Sequence, residues 1–331
     1  MTRPRWLPIL LIVLALVIAA CDPLAPIPTP TAVVLVVTPE ASATPLATDT
    51  PTPTPSPTIT PTPENSPTPT AYPCAEEGGR VLTFDDFDSE IAGENLPYRV
   101  YIPPCYLETQ KRYPVVYLLH GLRQDENTWL DVGLADALDQ AIRLGAIGPM
   151  IVVMPSSGAI GTLDEFPPDA SFEDVLLSEL LPAIERDFCT INDRAYRALG
   201  GISRGGFWAY SIGMRHPDIF SKLGGHSAAF AEDNAPAANN PLELALNAAF
   251  LSAADLDLYL DNAAADPAGV GLEMFSSRLS SRGIPHTYVI HPTGDHDEAY
   301  WASHVQEYLA FYGENWPLSD AELPSCLEPS P

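Results

Sequence analysis

The chain has 331 residues, 46% of them hydrophobic, and its formal net charge at pH 7 is −27. A surface this acidic repels phosphate backbones, which argues against nucleic acids and other anionic polymers as partners. Because the composition changes sharply along the chain, we expect only part of it to fold as a globular domain.

The first twenty residues are typical of a targeting segment. Arg3 and Arg5 precede an apolar run that ends at Ala20, directly before Cys21. The run is short for a membrane span, and small residues before a cysteine indicate a bacterial lipoprotein signal peptide over 1–20. Cys21 would then be the lipidated mature N-terminus; an uncleaved anchor helix is the alternative. Both interpretations predict an exported protein held at the cell surface or envelope of a bacterium. If the signal peptide is cleaved, the lipid on Cys21 is the only expected contact with the membrane.

Residues 21–73 are rich in proline and threonine, and apart from Val33–Val37 they offer almost nothing to bury. Proline fixes φ and cannot donate a backbone hydrogen bond, so we expect a disordered, extended linker. At ~3.1 Å per residue, about fifty residues would reach roughly 150 Å. The linker would hold a folded domain away from the membrane.

The remaining segment, 74–331, is long enough for one α/β domain and contains four cysteines. An even number in an exported domain predicts two disulfides, with three possible pairings. We expect Cys74 to pair with Cys105, its neighbour in the N-terminal part, and Cys189 to pair with Cys326 and attach the C-terminal tail. Four free thiols are the alternative. The spacings fit no zinc pattern, so no metal site is expected.

Apolar runs alternate with helical patterns along this domain. The predicted strands are 113–119, 150–154, 195–199, 248–252 and 287–290. The predicted helices are 172–188, 207–216 and 301–312. Near-continuous apolar strands are typical of a parallel sheet buried on both faces. The alternation predicts an α/β fold, with a doubly wound, mostly parallel sheet flanked by helices.

A G-x-S-x-G motif centred on Ser203 lies between a predicted strand and a predicted helix. By itself the motif is weak evidence, because glycine and serine are common in turns. The strand before it and the helix after it supply the context of a nucleophile elbow. Gly201 and Gly205 stand where side chains would collide in such a turn. We therefore expect Ser203 to be a catalytic nucleophile.

In hydrolases built this way, an acid and then a histidine follow the serine along the chain. His296 lies between the last predicted strand and the last predicted helix, so we expect it to be the general base. His286 and His291 lie on or beside that strand, and His304 lies within the helix. His226 is expected to belong to the core.

The acid should follow the preceding strand, where it can bond the imidazole and fix its tautomer. Asp257 is the expected acid, and Asp255 is the alternative, because both follow the predicted strand 248–252 closely. Asp261 and Asp266 fall where a helix is predicted to begin, and surface or capping roles are expected for them.

The loop after strand 113–119 is the expected source of one oxyanion donor, and the residue after the serine is the source of the other. These donors are the backbone N–H groups of Leu122 and Arg204. Gly121 would let the main chain approach a substrate, and His120 is a further candidate there, although a structural role bonded to the loop backbone is favoured for it. Trp129 could line an acyl pocket or serve in ordinary packing.

Together these residues resemble the esterase D-type branch of the α/β-hydrolases, which includes feruloyl and acetyl-xylan esterases, formylglutathione hydrolases, enterochelin esterases and envelope mycolyltransferases. The resemblance spans about residues 96–313. It rests on Tyr117–Gly121, Val153–Pro155, Gly201–Gly206, His216–Phe220 and Gly294–Asp297. Members often carry D-x-G-x-x-D before the acid, whereas Ser252–Asp257 keeps only the last aspartate. This departure leaves the choice between Asp257 and Asp255 open.

The combined expectation is a membrane-tethered serine esterase that forms an acyl-enzyme and needs no cofactor. Its substrate would be a small-molecule or carbohydrate-linked ester, such as a feruloyl or acetyl ester, and the loops 157–171 and 230–242 would set specificity. An acyltransferase using the same triad and a non-catalytic surface binding module are the alternatives. The sequence gives no indication of the oligomeric state.

Overall fold

The computed structural model describes residues 33–37 and 73–327. The predicted signal peptide, Cys21 and the rest of the Pro/Thr-rich segment lie outside the described residues, so those expectations stay predictions. Within the two described ranges, no helix is both long enough and apolar enough to cross a bilayer.

Within residues 33–37 and 73–327, nine strands form one sheet, and two short strands form a separate pair. The strands are β1 (Val33–Val37), β2 (Arg80–Phe84), β3 (Asp88–Ser89), β4 (Glu94–Asn95), β5 (Tyr98–Ile102), β6 (Val115–Leu119), β7 (Ile151–Pro155), β8 (Arg197–Ile202), β9 (Lys222–His226), β10 (Asp257–Ala263) and β11 (His286–His291). The order across the sheet is β1-β11-β10-β9-β8-β6-β7-β5-β2. The six strands from β11 to β7 in this order run parallel. At one side β1 pairs antiparallel with β11, and at the other β5 pairs antiparallel with β7 and β2 antiparallel with β5.

Helices pack on both faces of the sheet. The α-helices are α1 (Tyr106–Thr109), α2 (Thr128–Asp131), α3 (Leu134–Arg143), α4 (Phe172–Asp174), α5 (Leu181–Asp187), α6 (Arg204–Gly213), α7 (Pro241–Asn247), α8 (Gly269–Ser281) and α9 (Glu298–Gly313). A π-helical stretch, Val175–Leu180, joins α4 to α5. Short 3-10 turns lie at Pro73–Glu76, Ile160–Thr162, Arg194–Tyr196, Ala249–Ala253 and Asp320–Glu322.

The core has two parts, one on each face of the sheet, as the alternation of side chains along β6 shows. Tyr117 belongs to the cluster that includes Trp208 of α6, whereas its neighbour Leu118 belongs to the cluster that includes Trp129 and Tyr308 of α9. Successive side chains of a strand point to opposite faces, so a continuously apolar strand must be buried on both. The predicted doubly wound, mostly parallel α/β architecture is confirmed.

Two segments differ from their predicted structures. Residues 248–252, expected to be a strand, form the 3-10 turn Ala249–Ala253, and the strand begins at Asp257. A short apolar run does not by itself distinguish the two structures. Val33–Val37 pairs antiparallel with β11, so the prediction of a disordered linker over 21–73 is wrong for these five residues. Valine is β-branched and favours a strand at an available sheet edge.

Both predicted disulfides are present. Cys74 is bonded to Cys105 and Cys189 to Cys326, with Cα–Cα distances of 5.3 Å and 5.7 Å. The second bond attaches the C-terminal tail to the segment before β8, and the Cys326 N–H also donates to the Gln110 carbonyl at 2.8 Å.

Strand register brings the functional segments to one edge of the sheet. Ile202 lies opposite His226, and His226 lies opposite Asp261 on the next strand. Ala263 and His291 are likewise partners at the ends of β10 and β11. Because these strands are parallel, the loops that follow them all emerge at their carboxyl ends, where α/β sheets bind ligands.

Candidate active site

Ser203 occupies a sharp turn between β8 and α6, with φ of 53° and ψ of −116°. Residues with a side chain rarely adopt such angles, so the turn is strained and is held by its surroundings. Its N–H donates to the His226 carbonyl at 2.9 Å, and its carbonyl accepts from the Ala229 N–H at 3.0 Å. A Cβ on Gly201 would collide with the backbone of Gly205, so only glycine fits there. The turn has the features of a nucleophile elbow.

His296 lies in the loop between β11 and α9, and its Nε2 atom is 2.9 Å from Oγ of Ser203. The imidazole is partly exposed, with 29% of its side-chain surface accessible. The ring of Trp301, at the start of α9, packs edge-on against it at 5.3 Å. The indole is fixed in turn, since its Nε1–H donates to Ser227 Oγ at 3.1 Å. The predicted pairing of serine and histidine is therefore present.

The carboxylate that contacts the histidine is Asp266. Its Oδ1 atom is 2.9 Å from Nδ1 of His296, and its side chain is fully buried. Burial by itself raises the pKa of the Asp266 carboxyl, but hydrogen bonds from His296 and from the Ala268 N–H outweigh this effect and hold the pKa below its usual value. Asp266 is thus an ionised acceptor that orients the imidazole of His296. The Nδ1–H of His296 faces the carboxylate, and the Nε2 lone pair of His296 faces the serine.

The prediction of Asp257 as this acid, and of Asp255 as its alternative, is wrong. Asp257 is the first residue of β10 and pairs with Lys222, the first residue of β9. It therefore lies at the amino ends of the strands, about 13 Å along the sheet from Asp261 at a rise of ~3.3 Å per residue. The error follows from taking 248–252 as the strand, which shifted the expected loop upstream.

A sequence signal for Asp266 did exist. Asp261 and Asp266 have the spacing of the D-x-G-x-x-D pattern, with Ala263 in place of the glycine. Oδ1 of Asp266 also accepts from the Ala268 N–H at 2.8 Å, in the turn that precedes α8. One carboxylate oxygen therefore bonds both this turn and the imidazole.

The segment predicted to supply an oxyanion donor lies beside the serine. A Cβ built on Gly121 would be 3.3 Å from Cβ of Ser203, so the backbone of this loop reaches the reaction centre. Arg204 is the first residue of α6, and the first N–H groups of a helix have no intrahelical acceptor. The N–H groups of Leu122 and Arg204 thus remain the candidate donors.

Two other candidates have structural roles. Nδ1 of His120 is 2.8 Å from the Gly121 carbonyl, and its Nε2 accepts from the Ser157 N–H at 2.9 Å. This buried imidazole links the loops after β6 and β7, and burial lowers its pKa. Trp129 is 1% exposed and donates to the Leu119 carbonyl at 3.2 Å. It therefore has no free surface for a substrate, and its assignment to an acyl pocket is wrong.

The side chain of Arg204 holds part of the loop 157–171 against the start of α6. Its guanidinium bonds the Leu163 carbonyl at 3.1 Å and Asp164 Oδ1 at 2.9 Å, and it lies 4.6 Å above the ring of Phe207. The indole of Trp208 donates to the Gly161 carbonyl at 2.9 Å. The loop next to the serine is therefore attached at several points, although it contains no regular strand.

A profile of the family described as "Putative esterase" matches residues 89–312, well over half of the chain. The chain belongs to this esterase family. The profile match includes Ser203, His296 and Asp266, and the family assignment agrees with the expected esterase D-type resemblance.

Several known proteins are similar to this chain. Endo-1,4-beta-xylanase/feruloyl esterase from Xylanibacter ruminicola is 37% identical over 147 residues, which cover 42% of this chain and 20% of that protein. Esterase Rv1288 from Mycobacterium tuberculosis is 29% identical over 252 residues, covering 72% of this chain and 52% of that protein. The chain thus spans between a fifth and about half of the length of these curated relatives.

The solved structures add support for the fold. A ferulic acid esterase superposes with a TM-score of 0.64 at 27% identity, covering 71% of this chain and 98% of that one. An S-formylglutathione hydrolase from Agrobacterium tumefaciens superposes with a TM-score of 0.59 at 19% identity, covering 72% of this chain and 96% of that one, and shares the fold. The architecture of the chain is that of an α/β-hydrolase.

Proposed function

We propose that this protein is a serine esterase that hydrolyses carboxylic esters through Ser203, His296 and Asp266. The observation that carries the proposal is the continuous hydrogen-bonded series from Ser203 Oγ to His296 Nε2, at 2.9 Å, and from His296 Nδ1 to Asp266 Oδ1, also at 2.9 Å. A nucleophile bonded to a base, with the base oriented by a buried carboxylate, is the arrangement that acyl transfer requires.

In the first half of the reaction, Ser203 Oγ attacks the ester carbonyl carbon and His296 Nε2 takes the hydroxyl proton. The carbonyl oxygen becomes an oxyanion, which the N–H groups of Leu122 and Arg204 stabilise. The imidazolium then donates the proton to the leaving alkoxide as the carbon–oxygen bond breaks. The acyl group remains on Ser203.

In the second half, water enters in place of the alcohol. His296 takes a proton from the water, whose oxygen attacks the acyl carbon, and the same two N–H groups stabilise the second oxyanion. The bond to Ser203 Oγ breaks, His296 returns a proton to it, and the carboxylic acid leaves. Asp266 remains ionised throughout and stabilises the imidazolium each time it forms.

The proposed substrates are carbohydrate-linked esters of the feruloyl or acetyl type. The support comes from the names of two similar proteins, a xylanase/feruloyl esterase and a ferulic acid esterase. The attached loop 157–171, beside Arg204, and the segment 230–242 supply the remaining specificity.

We also propose that the enzyme is exported and lipid-anchored at Cys21. The targeting pattern over 1–20 and the two disulfides, which suit an oxidising compartment, support that location.

The test uses the full chain with ethyl ferulate and p-nitrophenyl acetate as substrates, and a fluorophosphonate probe that labels activated serines. We expect the parent to hydrolyse at least one ester and to take up the probe, and Ser203→Ala to do neither. Ser281→Ala, which removes an exposed hydroxyl at the end of α8, is the matched control and should match the parent. Unchanged turnover in Ser203→Ala would refute the proposal. Adding methanol as a second acceptor separates hydrolysis from acyl transfer by the product ratio, because a hydrolase releases mainly the carboxylic acid and an acyltransferase mainly the methyl ester.

A further inference from the structure

Outside the triad, two histidines and a glutamate converge between β11 and α9. His291 is the last residue of β11, and His304 and Glu307 lie one turn apart on α9. One ligand atom from each lies within 4.8 Å of the other two. We propose that His291, His304 and Glu307 bind a divalent transition-metal ion, with Zn²⁺ as the best fit.

One distance matches that between two ligands of a single small ion. Nε2 of His291 is 3.3 Å from Oε2 of Glu307, and ligand atoms of all three residues lie within 4.8 Å of one another. Two ligands on a tetrahedral zinc, each at ~2.0–2.1 Å, lie about 3.3 Å from one another. In the described part of the chain, the buried Nε2 of His291 makes no well-aligned hydrogen bond. A metal ion would satisfy this nitrogen.

Neighbouring groups already orient two of the ligands. Nδ1 of His304 lies 2.7 Å from the Tyr300 carbonyl, which can only accept, so Nδ1 carries the proton and the Nε2 lone pair is left for a metal. The hydroxyl of Tyr259 donates to Oε1 of Glu307 at 2.6 Å. At metal sites, hydrogen bonds are also made by the ligand atoms that do not face the metal. These bonds fix the tautomer of a histidine ring and the orientation of a carboxylate.

The donor set selects the class of ion. Two imidazoles with one carboxylate suit zinc, cobalt or nickel, whereas calcium and magnesium prefer sites built from oxygen alone. His304 and Glu307 are only partly buried, so an ion can enter and a water can complete the coordination. The spacing of His304 and Glu307, three residues apart on a helix, places both on one face.

The position of the cluster indicates what a bound ion would do. His291 immediately precedes the loop that carries His296, and α9 immediately follows it. An ion bound by all three residues would therefore connect the strand and the helix on either side of the proposed base. It would stabilise the fold and restrict the loop, without taking part in the ester chemistry.

The test uses the full chain stripped of metal with a chelator and titrated with Zn²⁺ by calorimetry, and with Co²⁺ by visible absorption. We expect the parent to bind one more equivalent than His304→Ala or Glu307→Gln, and its Tm to rise by about 5 °C at saturating zinc. Bound Co²⁺ should give the intense bands of a four-coordinate site in the parent only. Gln306→Ala, an exposed residue on the same helix, is the matched control and should bind like the parent.

Equal stoichiometry and equal Co²⁺ spectra in the parent and in both ligand variants would overturn the proposal, as would binding without a rise in Tm. If Glu307→Gln fails to fold, the partly exposed His304→Ala decides the question. Because these readouts do not depend on ester turnover, failure of the metal site and failure of the esterase proposal can be told apart.

Discussion

Asp261 lies on β10 and Asp266 lies in the loop three residues after its end, and each contacts a different histidine. Asp261 Oδ1 lies 2.8 Å from Nδ1 of His226, in the core beneath the site. Asp266 Oδ1 lies 2.9 Å from Nδ1 of His296, which in turn reaches Ser203. One aspartate–histidine pair is closed off from solvent, and the other is connected to an accessible hydroxyl. Connection to the serine therefore distinguishes the proposed catalytic pair from the structural one.

The first prediction concerns the acid of the triad. We expect Asp266→Asn to lower kcat/KM for ethyl ferulate by about 10³–10⁴-fold, because an amide no longer stabilises the imidazolium and can hold the wrong tautomer. The folded state should survive, since asparagine is isosteric. Steady-state kinetics with the full chain, alongside circular dichroism, provide the measurement.

The matched control for that experiment is Asp257→Asn. Asp257 is largely exposed and lies 3.8 Å from the Lys222 amine at the opposite edge of the sheet. Its kcat/KM should stay within about a factor of two of the parent, since Asp257 lies at the amino end of β10, away from the serine and the histidine. A large loss in Asp257→Asn together with parental activity in Asp266→Asn would contradict the triad proposed from the structure.

The second prediction concerns the buried network around Asp261. Its Oδ2 accepts from the hydroxyls of Tyr300 at 2.6 Å and Tyr308 at 3.0 Å, and Nε2 of His226 is 2.9 Å from the Tyr312 hydroxyl. Asp261→Ala removes the shared acceptor and leaves these polar groups buried without it. We expect the free energy of unfolding to fall by about 3–5 kcal/mol. Urea denaturation measures it, and a loss below ~1 kcal/mol would show that the network contributes little.

The parts of the site that could be predicted from sequence are those defined by local pattern. Ser203 has its glycines and flanking elements within a few residues of it, and His296 lies in a short polar loop before a helix. For Ser203 and His296 the information lies close together in the chain. The disulfide pairing was also predicted correctly, but as a choice among three possible pairings, since Cys189 and Cys326 are 137 residues apart.

Asp266 was missed because its identification depends on where β10 begins. An apolar run at 248–252 competes with 257–263 for the strand, and only tertiary packing decides between them. The strand at Val33–Val37 depends on the free edge of β11, a feature that no local pattern shows. The convergence of His291 with His304 likewise requires the packing of α9 against the end of β11.

The third prediction compares the two disulfides. The Cys189–Cys326 bond closes a sequence separation of 137 residues, and the Cys74–Cys105 bond closes 31. Loop-closure entropy in the unfolded chain grows with the logarithm of this length, so the longer loop should stabilise more by about 1 kcal/mol. Replacing each pair by serines and measuring urea denaturation tests the order. If removing the Cys74–Cys105 bond were the more damaging change, unfolded-chain entropy would not be the main contribution.

The last prediction concerns the pH dependence of stability through His120. Burial lowers the pKa of this imidazole in the folded state, and its Nε2 must remain unprotonated to accept from the Ser157 N–H. The unfolded chain, with a histidine pKa of ~6.5, binds the proton first as the pH falls. The stability contributed by the neutral ring is therefore fully present above that value, and it is lost as the pH falls through the folded pKa.

The variant that tests this is His120→Gln, whose amide can still donate to the Gly121 carbonyl and accept from the Ser157 N–H. We expect its free energy of unfolding to fall less steeply with decreasing pH than that of the parent, by up to about 1.4 kcal/mol per pH unit. Urea denaturation of parent and variant at pH 7, 6 and 5 measures the difference, and parallel curves would show that His120 is not a source of the acid sensitivity.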